Sequence, residues 1–322
     1  MRRRDFLTLL GGVATVWPLA ARAQQAGLPV VGYLSSGFAG DYKMVTAPFL
    51  QSLKESGYVE RQNVAIEYRW SENQPDRLPA LAADLVRRRV AVIVAFGLAA
   101  LLPAKAATTT IPIVFYTGSD PVAAGLVASL NRPGGNVTGS AVLSVELRPK
   151  QLLLLRELIP DAVLFGVLGN PSAESEADLQ AAARALGLQL VFANPGNDGE
   201  LETAFATFSQ QRVRGVIVSN GPFANRRMEQ LAALAARHAL PAIFPYREFA
   251  LAGGLMSYGS SFAYTARQLG IYTSRILKGE KAADLPVDQA ARIGLTLNLK
   301  TAKALGIEFP TGLLVRADEV IE

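Results

Sequence analysis

The chain has 322 residues, half of them hydrophobic and 18% charged, which is enough apolar material for about two ordinary domains and too much for a disordered protein. It has no cysteine and one histidine, His238, which excludes disulfides, zinc–thiolate sites and thiol nucleophiles and leaves a Ser-His-Asp apparatus only that one imidazole. The formal charge of +5 does not mark a nucleic-acid surface. Arg2, Arg3, Arg4 and Arg22 against Asp5 place three of the five charges in the first 23 residues, and Arg87-Arg88-Arg89 closes an expected helix with no interleaved aromatics.

Residues 1–23 read as an export signal. Three arginines precede an apolar run over 6–20, broken by Gly11, Gly12 and Pro18, and Ala21-Arg22-Ala23 gives a small-x-small cleavage pattern. The run is shorter than the ~20 residues of a spanning helix, although an uncleaved anchor is the alternative. Arg3-Arg4-Asp5-Phe6-Leu7 resembles a twin-arginine signal. A periplasmic protein, soluble after cleavage, is expected.

From Pro29 onward, buried-type strands alternate with amphipathic helices. Residues 30–34 form a continuous apolar run. Val45, Phe49 and Leu53 then recur at helical spacing up to Gly57, a helix stop. A strand is expected over 64–70, a helix through Leu78, Leu81 and Leu85, and strands over 90–96 and 111–116 around an Ala-rich helix. After a strand over 137–141 the series repeats: helix 152–158, strand 163–168, helix 177–186 stopped by Gly187, strand 188–192, helix 201–210, strand 215–219, helix 226–238 and strand 241–244. Repeated βα units joined by right-handed crossovers give two doubly wound parallel α/β lobes. A weak echo links them: AATTTIPIVFY, ending at Tyr116, and AARHALPAIFPY, ending at Tyr246.

In parallel sheets, ligands sit beyond the carboxyl ends of the strands, where helix N-termini present free N–H groups. The loops at these ends supply the candidate ligand-binding residues: Tyr33, Ser35 and Ser36, Gly97, Thr117, Gly118, Ser119 and Asp120, Asn170, Asn220, Tyr246 and Glu248. Asp120 is placed as an N-cap with Pro121 opening a helix. Backbone donors near Ser36 and 117–119 suit a ligand carboxylate, Tyr33, Tyr116 and Tyr246 suit an aromatic wall, and Asp120 or Glu248 suits an ammonium group. Each also has a plain structural reading as a cap or turn, and Glu248 as a partner of Arg247. Phosphate-loop, dinucleotide and nucleophile-elbow motifs are absent from the sequence. No cofactor or metal is expected.

The chain resembles the ABC-transporter substrate-binding proteins of the tryptophan/tyrosine-binding type. The resemblance is carried by Gly57-Tyr58-Val59-Glu60, Asp76-Arg77-Leu78-Pro79, Asp120-Pro121-Val122, the run from Leu130-Asn131-Arg132-Pro133-Gly134-Gly135 to Gly139, Tyr246-Arg247-Glu248-Phe249, Gly253-Gly254-Leu255-Met256-Ser257-Tyr258-Gly259 and Arg316-Ala317-Asp318-Glu319. It implies a type I periplasmic-binding fold with three crossings, placed near Val142, Tyr246 and Leu285. The first lobe is then 27–142 plus 247–285, and the second 143–246 plus 286–322. Ser219-Asn220-Gly221-Pro222 stands where many members of that family carry Asp-Pro, so one ammonium-binding carboxylate is lacking.

The resemblance implies a monomeric receptor that closes on a small polar or aromatic solute, an amino acid or carboxylate, and delivers it to the membrane permease of an ABC transporter. The alternative from the residues is an exported, metal-independent enzyme using Asp120 and Glu248 as acid and base.

Overall fold

The computed structural model describes residues 27–39, 43–142, 147–169, 173–289 and 293–322. The signal segment and Asn170 therefore lie outside the described residues. Among those described, no helix is long and apolar enough to cross a membrane.

The first lobe runs β1 (Val30–Ser35), α1 (Lys43–Glu55), β2 (Ala65–Trp70), α2 (Leu78–Arg87), β3 (Val92–Phe96), α3 (Leu98–Ala107), β4 (Ile113–Thr117) and β5 (Val137–Ala141). Its strands lie in the order β2-β1-β3-β4-β5, each pair parallel. The apolar runs that predict buried strands are buried on both faces: every residue of β3, β4 and β5 is buried. Gly57 and Gly187 adopt positive φ, +97° and +68°, as stops after α1 and the later α5 require.

The second lobe begins with α4 (Leu147–Leu158), β6 (Leu164–Leu168), α5 (Ala173–Ala185), β7 (Gln189–Ala193), α6 (Asp198–Gln210), β8 (Gly215–Val218), α7 (Pro222–Asn225), α8 (Met228–Arg237) and β9 (Ala242–Tyr246). It continues through α9 (Arg247–Leu251) and β10 (Met256–Ser260). The chain then returns to the first lobe as α10 (Phe262–Leu277), and closes in the second with β11 (Gly294–Asn298), α11 (Leu299–Leu305), α12 (Thr311–Arg316) and β12 (Glu319–Ile321). The strand order is β12-β11-β10-β9-β8-β6-β7.

The two parallel α/β lobes are as expected, with one exception: β11 runs antiparallel to β10, and mixed edges of this kind are common on large sheets. Three expectations need correction. The expected helix from Pro121 is instead a series of turns: Asp120 Oδ1 accepts from the N–H groups of Val122 and Ala123, as a cap would, but the segment closes on Gly125 without forming an α-helix. The second crossing falls at Ser261 rather than Tyr246, because β10 pairs with β9 and only α10 packs on α1; residues 247–260 thus lie with the second sheet. The third crossing falls after Asp288 rather than near Leu285, since Asp288 still bridges to Ser140, with its N–H donating to Gly139 O and its carbonyl accepting from Ala141 N.

The return helix is seated tightly. A Cβ on Gly270 would stand 1.8 Å from Ser52 Oγ and 2.7 Å from the Phe49 carbonyl of α1, so only glycine permits this approach of the two helices. One buried cluster runs from Val31 and Tyr33 through Phe96, Tyr116 and Val142 to Tyr246 and Phe262, joining the cores of both lobes, while two separate clusters cover the outer faces.

Candidate functional site

The carboxyl edges of the two sheets face each other. In the first sheet, register aligns Ser35 with Phe96 and Phe96 with Tyr116, so the loops after β1, β3 and β4 are neighbours. In the second, β8 lies beside β9 and Tyr246 pairs with Ser260, which brings Asn220, Tyr246 and Ser260 onto one edge. Contacts between described residues cross the gap. Tyr116 and Tyr246 meet hydroxyl to hydroxyl at 2.8 Å, and the Arg226 guanidinium lies 4.4 Å over the Phe38 ring, within cation–π range.

The first-lobe candidates share this edge, but several side chains are already committed. Tyr33 is fully buried, packed by Phe49, Tyr68 and Trp70 with ring centroids 5.4–5.7 Å away; it is core, not cleft wall. Ser35 and Thr117 are also fully buried, and their hydroxyl oxygens accept from Gly37 N–H and Ser119 N–H within their own loops. The Ser36 carbonyl accepts from the Ser71 hydroxyl and Asn73 N–H. Gly97 caps α3 at φ +91° with open space where a Cβ would be, so its backbone is accessible. Gly118 and Ser119 are half-buried and Asp120 is exposed.

In the second lobe, Glu248 is a hinge residue. Its Oε1 accepts from the Ser261 hydroxyl at 2.7 Å and from Ala263 N–H at 3.3 Å, fastening α9 to the start of α10. Arg247 pairs with Glu319 rather than with Glu248. Asp120 and Glu248 thus serve a turn and a crossing, on different lobes.

A pocket at the base of the cleft is lined by Val142, Leu147, Arg148, Gln151, Val218, Asn220, Pro245, Tyr246 and Ser260. Of the residues expected from sequence, it gathers only Asn220 and Tyr246. Arg148 and Ser260 were not foreseen. Arg148 lies in the first turn of α4, just before Pro149, on the face that also buries Gln151, Leu152 and Leu155. Gln151 is held by the Tyr258 carbonyl at 2.8 Å. An arginine at the buried spacing of an amphipathic helix was the available sequence signal. Burial lowers the Arg148 pKa from its ordinary value. Among the described residues, no three His, Asp or Glu side chains group as metal ligands.

The comparisons with known proteins agree with this architecture. A family model described as ABC transporter substrate binding protein matches residues 41–321. The chain is 26% identical over 271 residues to a "Tyrosine-binding protein" of Clostridioides difficile (strain R20291), covering 81% of this chain and 76% of that protein. Among solved structures, a conserved domain protein of Vibrio cholerae O1 biovar El Tor superposes with TM-score 0.79 at 25% identity, covering 91% of this chain and all of that one. An ABC domain from Streptococcus pneumonia in complex with L-Trp superposes with TM-score 0.77 at 23% identity, covering 92% and 100%. The fold is the two-lobed type I periplasmic-binding fold, and the chain belongs to the ABC transporter substrate-binding protein family.

Proposed function

We propose that this protein is the exported, monomeric receptor of an ABC importer, which captures a small organic solute between its lobes and presents the closed form to a membrane permease. The observation that carries the reading is the Tyr116–Tyr246 hydrogen bond, made by equivalent strand ends of two similar lobes across a gap lined by loops. A hydrogen bond contributes about 1 kcal/mol net and an exposed cation–π contact about 0.5–1 kcal/mol. These contacts are too weak to hold two lobes shut alone. A solute touching both lobes adds the differential affinity that selects the closed state.

The relative named as tyrosine-binding and the L-Trp complex make aromatic amino acids the first class to test. Residues 1–23 would direct export and be removed. A thermal-shift screen of the purified chain against L-tyrosine, L-tryptophan, other amino acids, aromatic acids and sugars is the direct test. A bound solute raises the melting temperature with the logarithm of its excess concentration. A screen in which every class leaves the melting temperature unchanged would count against the receptor reading.

A further inference from the structure

Buried polar groups are almost always hydrogen-bonded, and each exception calls for an explanation. The pocket at the cleft base holds two exceptions. Arg148 is 8% exposed, and its Nη1 is buried with no hydrogen-bond partner among the described residues; Ser260 is 2% exposed, and its hydroxyl is likewise unpartnered. Nearby, the Ser219 hydroxyl, next in chain to the pocket residue Asn220, is buried and unpartnered as well. Among the described residues, no Asp or Glu lines the pocket. An unpaired buried charge costs several kcal/mol, and a guanidinium cannot relieve that cost by losing its proton at neutral pH.

We propose that Arg148 is the anchor for a carboxylate on the captured solute, with Ser260 and Asn220 as neighbouring hydrogen-bonding groups at the base of the cleft. The proposal rests on the receptor reading and narrows it to a ligand class. The planar fork of arginine matches two carboxylate oxygens, and the first turn of α4 adds the partial positive charge of a helix N-terminus. Arg148 is the one cation among the described residues of the pocket, and one cation balances a monoanion, which favours a carboxylate over a phosphate dianion. Val142, Leu147 and Val218 supply apolar wall around the charged end. The space in the pocket is about 10 Å³, room for one water, so a carboxylate needs the lobes to part before it can enter.

The test compares the full chain with Arg148→Met and Arg148→Lys, using matched pairs of free acid and primary amide: L-tyrosine and L-tyrosinamide, 3-phenylpropanoate and its amide, benzoate and benzamide. Inorganic phosphate and two sugars complete the panel, read by calorimetry and thermal shift. At least one acid should bind, its amide about 100-fold more weakly, and Arg148→Met should lose a similar factor, as expected when one partner of a buried ion pair is removed. Arg148→Lys should retain part of the affinity. Free of solute, Arg148→Met should melt no lower than the parent, because it removes a buried charge whose Nη1 has no partner among the described residues. Acid binding that is unchanged in Arg148→Met or Arg148→Lys, an amide that binds as well as its acid, or preference for phosphate would overturn the assignment. Binding confined to a sugar or amide would overturn it while leaving the receptor reading intact. A panel in which nothing binds would defeat both.

Discussion

Tyr116 and Tyr246 stand 130 residues apart in the chain and share a 2.8 Å hydrogen bond. Tyr246 ends β9 and Tyr116 is the next-to-last residue of β4, and each closes one of the two echoed segments, AATTTIPIVFY and AARHALPAIFPY. Phe96 packs on Tyr116 with ring centroids 4.8 Å apart, and Phe262 on Tyr246 at 3.9 Å. The bond therefore couples first sheet, second sheet and the start of the return helix at one point beside the hinge.

Tyr246→Phe removes this hydroxyl–hydroxyl bond, a loss of about 0.5–1.5 kcal/mol. The double variant Tyr116→Phe/Tyr246→Phe should recover part of that loss. Chemical denaturation of the four proteins gives the coupling, expected near 1 kcal/mol. Strictly additive losses would show that the two hydroxyls do not act together.

Gly270→Ala should destabilise the protein by about 1–3 kcal/mol, as overpacking does, because the new Cβ meets Ser52 Oγ and the Phe49 carbonyl. Helix propensity alone points the other way, favouring alanine by about 1 kcal/mol. A thermal melt decides between them. A variant as stable as the parent would mean that α10 can lift from α1 at little cost.

Much of this architecture was legible in the sequence because burial on both faces of a parallel strand leaves a continuous apolar run. Residues 30–34, 90–96 and 111–116 are such runs, and β1, β3 and β4 lie within one or two residues of them. Beyond Tyr246 the signal fades. The strand Met256–Ser260 reads MSYGS, with neither a long apolar run nor clean alternation, so its pairing with β9 is a tertiary fact and the crossing was placed too early. The site was legible as an edge but not as a set of side chains. Ser35 and Thr117 have the right chemistry in the right loops, yet local turns absorb their hydroxyls. Arg148 shares the buried spacing of α4 with Gln151, Leu152 and Leu155, but a charged side chain at a helix start is ordinarily solvated, and it is the packing of α4 on β8, β9 and β10 that buries it.

Asp288 is half-buried at the third crossing, where its Oδ2 accepts from the Ser140 hydroxyl at 3.1 Å. Burial raises its pKa above the ordinary carboxylate value, with the Ser140 bond opposing the rise. The folded protein thus keeps this proton to higher pH than the unfolded chain, and folding is favoured as the group protonates. Ionised Asp288 costs stability at neutral pH, and the cost disappears as pH falls through the raised value toward the ordinary one. Asp288→Asn should be the more stable protein at pH 7, its advantage shrinking toward acid in denaturation series. A difference that widens toward acid would contradict this.

Capture by closure requires that a solute hold the two lobes together, and the distance across the cleft rim tests this most directly. The chain contains no cysteine, so Ala39→Cys beside Phe38 and Glu229→Cys just past Arg226 give a unique pair of spin-label sites, both at exposed positions. With a solute that raises the melting temperature, the distance distribution should sharpen and move shorter than in the free protein. An unchanged distribution at saturating concentrations of that solute would contradict closure as the mode of capture.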